Sequence, residues 1–176
     1  MTIRVLVADD QAMIRGALAG LLDLERDIEV VAQAADGAQA LDELARLASA
    51  DAPAHASAPV DVAIIDVEMP RMDGITATQA IRSRFPGVRV LIVTTFGRPG
   101  YLQRALDAGA TGFTVKDAPV ETLAEGVRTV AAGGRAIDQN LALEALAAGS
   151  SPLTDREADV LREVEGGGTI ADIARS

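Results

Sequence analysis

Cysteine and tryptophan are absent from the 176 residues, and the only aromatic side chains are Phe85, Phe96, Tyr101 and Phe113. Without cysteine, a disulfide framework, Cys-ligated zinc, haem attachment and thiol catalysis are excluded. A core with so few rings must be aliphatic, and the 34 alanines among the 49% hydrophobic residues point the same way. No apolar run approaches the roughly 18 residues of a membrane span, and the opening Met1 to Val7 lacks the segments of a signal peptide. We therefore expect a soluble, cytoplasmic protein with no membrane partner, built as one domain of ordinary size with a small appendage. Lysine is nearly absent too: fifteen of the sixteen basic residues are arginine, and the exception is Lys116. The net charge of −10 is spread along the chain, with 20 acids against 13 bases in residues 1–150 and 6 against 3 in 151–176. Neither part has the basic footprint of a nucleic-acid binder.

What is present is an alternation of short apolar, β-branched runs with longer segments of helical period, the pattern of βαβ units on a parallel sheet. Five runs read as strands: Ile3 to Ala8, Glu29 to Gln33, Val60 to Asp66, Val88 to Thr95 and Gly112 to Val115. The third and fourth are almost continuously apolar, as strands covered on both faces should be, and belong in the sheet centre. Apolar stripes predict crossover helices around Ile14, Ala17, Leu18 and Leu21, around Leu41, Leu44 and Ala45, around Ile75, Thr78 and Ile81, and around Val120, Leu123, Ala124 and Val127. Ala48 to Pro59, with two prolines and His55, reads as an exposed loop. Gly133-Gly134 ends the last crossover helix, Leu141, Glu144 and Ala145 indicate a short helix, and Gly149 to Pro152 marks a domain boundary.

In such a sheet, ligands collect at the carboxyl ends of the strands. Those ends hold Asp9 and Asp10 after strand 1, Asp66 on strand 3, Thr94 and Thr95 on strand 4, and Lys116 after strand 5. Converging carboxylates repel one another unless a cation intervenes, which invites a hard divalent ion, Mg2+ by preference. A carboxylate so placed can act as nucleophile and form an aspartyl phosphate, and Asp66, alone at the end of a central strand, is the best candidate. Taken singly, each aspartate reads more readily as a cap or a solvated strand end. With Thr94 and Lys116 they read as a site. His55 has no helical setting that would make it a phosphohistidine. Gly166-Gly167-Gly168 is followed by Thr169-Ile170, so it is no phosphate-binding P-loop.

Four fragments then carry a resemblance. Val5-Leu6-Val7-Ala8-Asp9-Asp10-Gln11, Asp66-Val67-Glu68-Met69-Pro70-Arg71-Met72-Asp73-Gly74, Leu91-Ile92-Val93-Thr94-Thr95 and Ala108 to Lys116 occur in the order and spacing of a bacterial two-component response regulator. The chain resembles a receiver domain followed by the start of a LuxR-type helix-turn-helix domain. The resemblance implies a flavodoxin-like sheet of five parallel strands in the order 2-1-3-4-5. It implies that Asp66 accepts a phosphoryl group from a sensor histidine kinase. Mg2+ would be held by Asp10, by Asp9 partly through water, by Asp66 and by the backbone carbonyl of Glu68. Lys116 would pair with the phosphoryl oxygens, Thr94 would turn its hydroxyl toward them, and Phe113 would move inward as the switch. Phosphorylation would then tighten a homodimer, through helices 1 and 5 or through the face of helix 4 and strand 5. Ala19 and Leu22, read as lying off the stripe of helix 1, favour the first.

Lys116 is followed by Asp117 where many receivers have proline, and the Ala48 to Pro59 loop is longer than usual. Residues 1–132 form the expected receiver and 133–152 a linker with a short helix. In 153–176, Thr154 and Glu157 make a capping box before Val160, Leu161 and Val164, and Ile170 and Ile173 begin a second helix. This matches a helix-turn-helix domain without its recognition helix, so we expect a piece of a longer regulator in which only the full-length form binds promoter DNA. The chain is expected not to be an enzyme beyond its own phosphoryl transfer and hydrolysis. The rival readings are a stand-alone receiver acting by protein contacts and an aspartyl-phosphate phosphatase. A haloacid-dehalogenase-like enzyme would want an aspartate where Glu68 stands.

Overall fold

The computed structural model describes residues 2–50, 58–95, 99–138 and 141–142. The apolar runs became β1 (Ile3–Ala8), β2 (Ile28–Ala34), β3 (Val62–Asp66), β4 (Arg89–Thr94) and β5 (Gly112–Val115). Between and after them lie α1 (Ala12–Leu22), α2 (Gly37–Ala50), α3 (Gly74–Arg84), α4 (Pro99–Asp107) and α5 (Val120–Ala131). All strand pairs are parallel and the order is β2-β1-β3-β4-β5 with β6 (Ala136–Ile137) added beyond β5. The expected five-stranded order therefore holds, with one correction, since the stretch read as linker contributes a sixth strand. Ala136 N–H donates to the Thr111 carbonyl at 3.2 Å and Asp138 N–H to that of Phe113 at 3.3 Å, which covers the otherwise open edge of β5.

Side chains alternate across the strands with period two and divide the core into two layers. Leu6, Ala63, Ile65, Val90, Ile92 and Phe113 face α2, α3 and α4, where they meet Leu41, Leu44, Ile75, Ile81, Leu102 and Ala105. Val5, Val7, Val62, Ile64, Leu91 and Val93 face α1 and α5, where they meet Leu22, Leu123, Val127 and Val130. Full burial of all five β3 residues matches the reading of a central strand covered on both faces.

Three details differ from the pattern read in the sequence. α1 turns Ala19 and Leu22 inward, while of the expected stripe Leu18 packs against the core and Ala17 and Leu21 are exposed. Eight of its eleven residues are apolar and the other three are two glycines and a half-buried arginine, so the period alone singles out no face. α2 continues through Ala48, Ser49 and Ala50, which had been read as loop. α4 had no stripe assigned to it, although Leu102 and Ala105 are buried on it. His55, Phe96 and the segment 143–176, with the expected helix-turn-helix residues, lie outside the described residues. Among the described residues, no helix is long and apolar enough to cross a membrane.

Candidate functional site

The order β2-β1-β3 places a topological switch between β1 and β3, and the residues that leave those two strands at their carboxyl ends face each other there. Asp9 and Asp10 follow β1, and Asp66 ends β3. One carboxylate oxygen from each of the three lies within 4.8 Å of the others. Asp9 and Asp66 are buried and Asp10 is exposed, so the cluster opens to solvent on one side. Lys116, carried just past β5, reaches under it: its Nζ is 2.7 Å from Asp9 Oδ2 and 2.8 Å from Asp66 Oδ2. The strand that delivers it is held at its end by Lys116 N–H donating to the Thr94 carbonyl at 2.8 Å.

The loop after β3 is built for close approach. Gly74 N–H donates to the Val67 carbonyl at 2.9 Å, and a Cβ on Gly74 would come within 1.9 Å of the Asp66 carbonyl oxygen. Only a residue without a side chain lets α3 begin there. Asp73 caps α3 by accepting from the N–H groups of Ile75 and Thr76.

Electrostatically the site is two buried anions on one buried cation. Burial pushes the Asp66 carboxyl above the usual carboxylate range, with Asp9 acting in the same direction and the Lys116 hydrogen bond against it. Burial also opposes the charge of Lys116, but its Asp66 and Asp9 partners win and hold the ammonium above the ordinary lysine value. Asp9 Oδ1 accepts the Gln11 N–H at 2.9 Å. Asp9 Oδ2, by contrast, is buried beside Lys116 without an aligned hydrogen bond. An all-oxygen donor set with such an acceptor fits a hard divalent cation rather than a soft one.

A family model for the response regulator receiver domain matches residues 5–128. The chain belongs to that receiver family. It is 39% identical over 173 residues to the transcriptional regulatory protein DesR of Bacillus subtilis, covering 98% of this chain and 80% of DesR. Over 139 residues it is 36% identical to the oxygen regulatory protein NreC of Staphylococcus epidermidis, covering 78% of this chain and 59% of NreC. The signal receiver domain of NarL from Mycobacterium tuberculosis is 34% identical with a TM-score of 0.65, over 75% of this chain and 98% of that one. The receiver is thus part of a phosphorylation-dependent response regulator of the two-component type, and neither rival reading gains support from these likenesses.

Within the receiver, the other expected residues are placed as follows. Thr94 ends β4, 3% exposed, at the same sheet edge as Asp66. Phe113 is fully buried in the layer covered by α2, α3 and α4. Glu68 is exposed, and its Oε1 accepts the Tyr101 hydroxyl at 2.9 Å, which ties α4 to the loop after β3. Tyr101 was not read as a site residue, and nothing in its local sequence marks it. Asp36 and Arg71 were missed as well. Asp36 is a fully buried carboxylate before α2 that pairs with the Arg71 guanidinium in the loop after β3. Asp36 and Gln39, three residues apart at a helix start, carry the signal of a cap, but not of the Arg71 pair.

Proposed function

We propose that Asp66 takes a phosphoryl group from the phosphohistidine of a sensor histidine kinase and that the resulting acyl phosphate is the switched state. The observation that carries this reading is the Asp9, Asp10 and Asp66 cluster bridged by the single lysine of the chain. An Asp66 carboxylate oxygen attacks phosphorus, the P–N bond breaks, and its electron pair leaves with the imidazole, which is protonated. Mg2+, when bound, would supply positive charge that offsets the repulsion between the carboxylates and the incoming phosphoryl group. The residues suited to hold it are Asp10, Asp66, Asp9 in part through water, and the Glu68 backbone carbonyl. Lys116 exchanges its Asp66 contact for a phosphoryl oxygen, and the Thr94 hydroxyl follows. Apart from its own phosphoryl transfer and hydrolysis, the chain catalyses nothing on this reading.

The readout is a change of partner at a surface, in a cytoplasmic regulator of transcription. Met13 and Leu24 are 82% and 77% exposed on and just beyond α1 and Leu21 is 38% exposed, large apolar side chains that a protein partner would cover. This α1 face supports a homodimer that tightens on phosphorylation, with promoter DNA bound by a longer form.

The test is incubation with acetyl phosphate and Mg2+, followed by intact mass and mapping. One base-labile phosphoryl group is expected on Asp66, and none in Asp66→Asn. Labelling that persists in that variant, or maps to His55, overturns the assignment.

A further inference from the structure

The loop between Asp66 and Gly74 is fixed at two ends. Its base is closed by the Gly74 N–H to Val67 carbonyl bond. Its tip, where Met72 N–H donates to the Pro70 carbonyl at 2.6 Å, rests on the first turn of α2. There Gly37 N–H donates to the Met72 carbonyl at 3.1 Å, and a Cβ on Gly37 would come within 2.8 Å of that oxygen and 2.7 Å of Ala77 Cβ. Arg71, at the tip, has φ of 64°, the left-handed region that residues other than glycine rarely enter.

Asp36 joins these parts. Its Oδ1 accepts the Gln39 N–H at 2.9 Å, and Gln39 Oε1 accepts the Ala35 N–H at 2.6 Å, which together make a reciprocal helix cap. A cap needs one carboxylate oxygen and is ordinarily reached by water. Asp36 is fully buried, and its second oxygen is committed to Arg71, whose own side chain remains 69% exposed. The charge of a buried carboxylate requires its partner. The pair therefore holds Arg71 in place, and with it the unfavourable backbone conformation at the loop tip.

We propose that the Asp36–Arg71 pair is a positioning device for the phosphoacceptor loop, pinning its tip to α2 so that the Glu68 backbone carbonyl is presented to a divalent cation on the Asp9, Asp10 and Asp66 carboxylates. The proposal rests on the reading of that site given above. A loop held at base and tip loses little further freedom when the cation binds, and a carbonyl oriented in advance binds it more tightly.

Calorimetric titration of the unphosphorylated chain with Mg2+ tests this without any turnover. Arg71→Ala should weaken Mg2+ binding roughly tenfold, the lower end of what removing a group that orients a metal's ligands costs. Saturating Mg2+ should largely restore the rate of phosphorylation by acetyl phosphate. Arg71→Lys, which keeps a cation beside Asp36, should recover most of the affinity. Asp36→Asn keeps a capping oxygen but removes the charge that holds Arg71, and should lose affinity while remaining better folded than Arg71→Ala. Val127→Ala, a cavity on the opposite face of the sheet, should lower Tm and leave Mg2+ affinity unchanged. Wild-type affinity in Arg71→Ala and Asp36→Asn, or an equal loss of affinity in Val127→Ala at the same fall in Tm, would reduce the pair to a helix cap and overturn the proposal. A wild-type chain that takes up no Mg2+ overturns the reading of the site itself, a different result.

Discussion

The two faces of the sheet are packed to different ends. Over one, α2, α3 and α4 enclose the larger apolar cluster, and the loops that leave that face carry Glu68, Asp73 and the Asp36–Arg71 pair. Over the other, α1 and α5 enclose a smaller cluster, and Met13, Leu21 and Leu24 are the exposed large apolar residues among those described. Backbone approaches backbone around Gly37 and Gly74 on the first face, whereas α1 on the second has open space around Gly16 and Gly20. Close packing surrounds the strand end that carries Asp66, the proposed phosphoacceptor. Exposed apolar side chains are left on and just beyond α1, the surface proposed for the output contact.

The same substitution made on each face breaks or confirms this contrast. Gly74→Ala places a methyl 1.9 Å from the Asp66 carbonyl, which neither strand nor helix can vacate without shifting the phosphoacceptor. A loss of about 4 kcal/mol or outright failure to fold is expected, in the range reserved for core clashes and backbone strain. Urea denaturation measures it. Should the variant fold with wild-type stability and be phosphorylated normally, the tight packing attributed to this face is wrong.

A smaller effect, of opposite sign, is expected inside the site. Because burial and Asp9 raise the Asp66 pKa above 3.8, the folded state disfavours the ionised form, and this cost is present at neutral pH. Asp66→Asn removes it, and because Asp9 still pairs with Lys116 the variant should be more stable than the wild type at neutral pH in EDTA. The cost disappears as pH falls through the raised folded pKa toward 3.8, so the two proteins should converge in acid. Lys116 behaves in the opposite sense: its raised pKa contributes stability that is complete below 10.5 and is lost as pH rises through the folded value. With one anionic partner gone, Asp66→Asn should show a shallower alkaline decline. Added Mg2+ should stabilise the wild type by mass action and erase the advantage of the variant. Thermal melts across pH, with and without Mg2+, decide each point.

The site was legible because chemistry and topology coincide: polar residues that interrupt β-branched runs at their carboxyl ends must share one edge once the strands are parallel. Asp9, Asp10, Asp66, Thr94 and Lys116 needed no further information. What could not be read depends on contacts across the fold. β6 is two residues long, too short for a period, and exists because β5 leaves an edge to cover. α4 opens with Pro99-Gly100, a turn signal, and shows only Leu102 and Ala105 buried in its middle. α1 is apolar around most of its circumference, so which side β1 and α5 cover is settled by packing, and the expected stripe holds at Leu18 but fails at Ala17 and Leu21. Ala19 and Leu22 are buried and so lend no support to pairing through α1; the exposed large apolar residues there are Met13, Leu21 and Leu24. Asp36 and Arg71 lie 35 residues apart, and only the docking of α2 on the loop after β3 brings them together.

The smallest effect comes from the counterpart of the glycine clash. Gly20 lies in α1, and a Cβ built on it meets nothing within 4 Å. Glycine in a helix interior is less favourable than alanine by about 1 kcal/mol, because it loses more backbone freedom on folding. With no contact to oppose it, Gly20→Ala should therefore stabilise the chain by nearly that amount, roughly 2–4 °C in Tm for a protein of this size. Phosphorylation of Asp66 should be unaffected, since no site residue lies on this helix. The measurement also probes the face itself. If α1 is free in the unphosphorylated chain, the gain appears in melts at any protein concentration. A gain at low concentration that turns into a loss at high concentration would place Gly20 in a close contact between two copies before any phosphoryl group has been added. A loss at every concentration would contradict the open space that distinguishes this face from the one bearing Gly74.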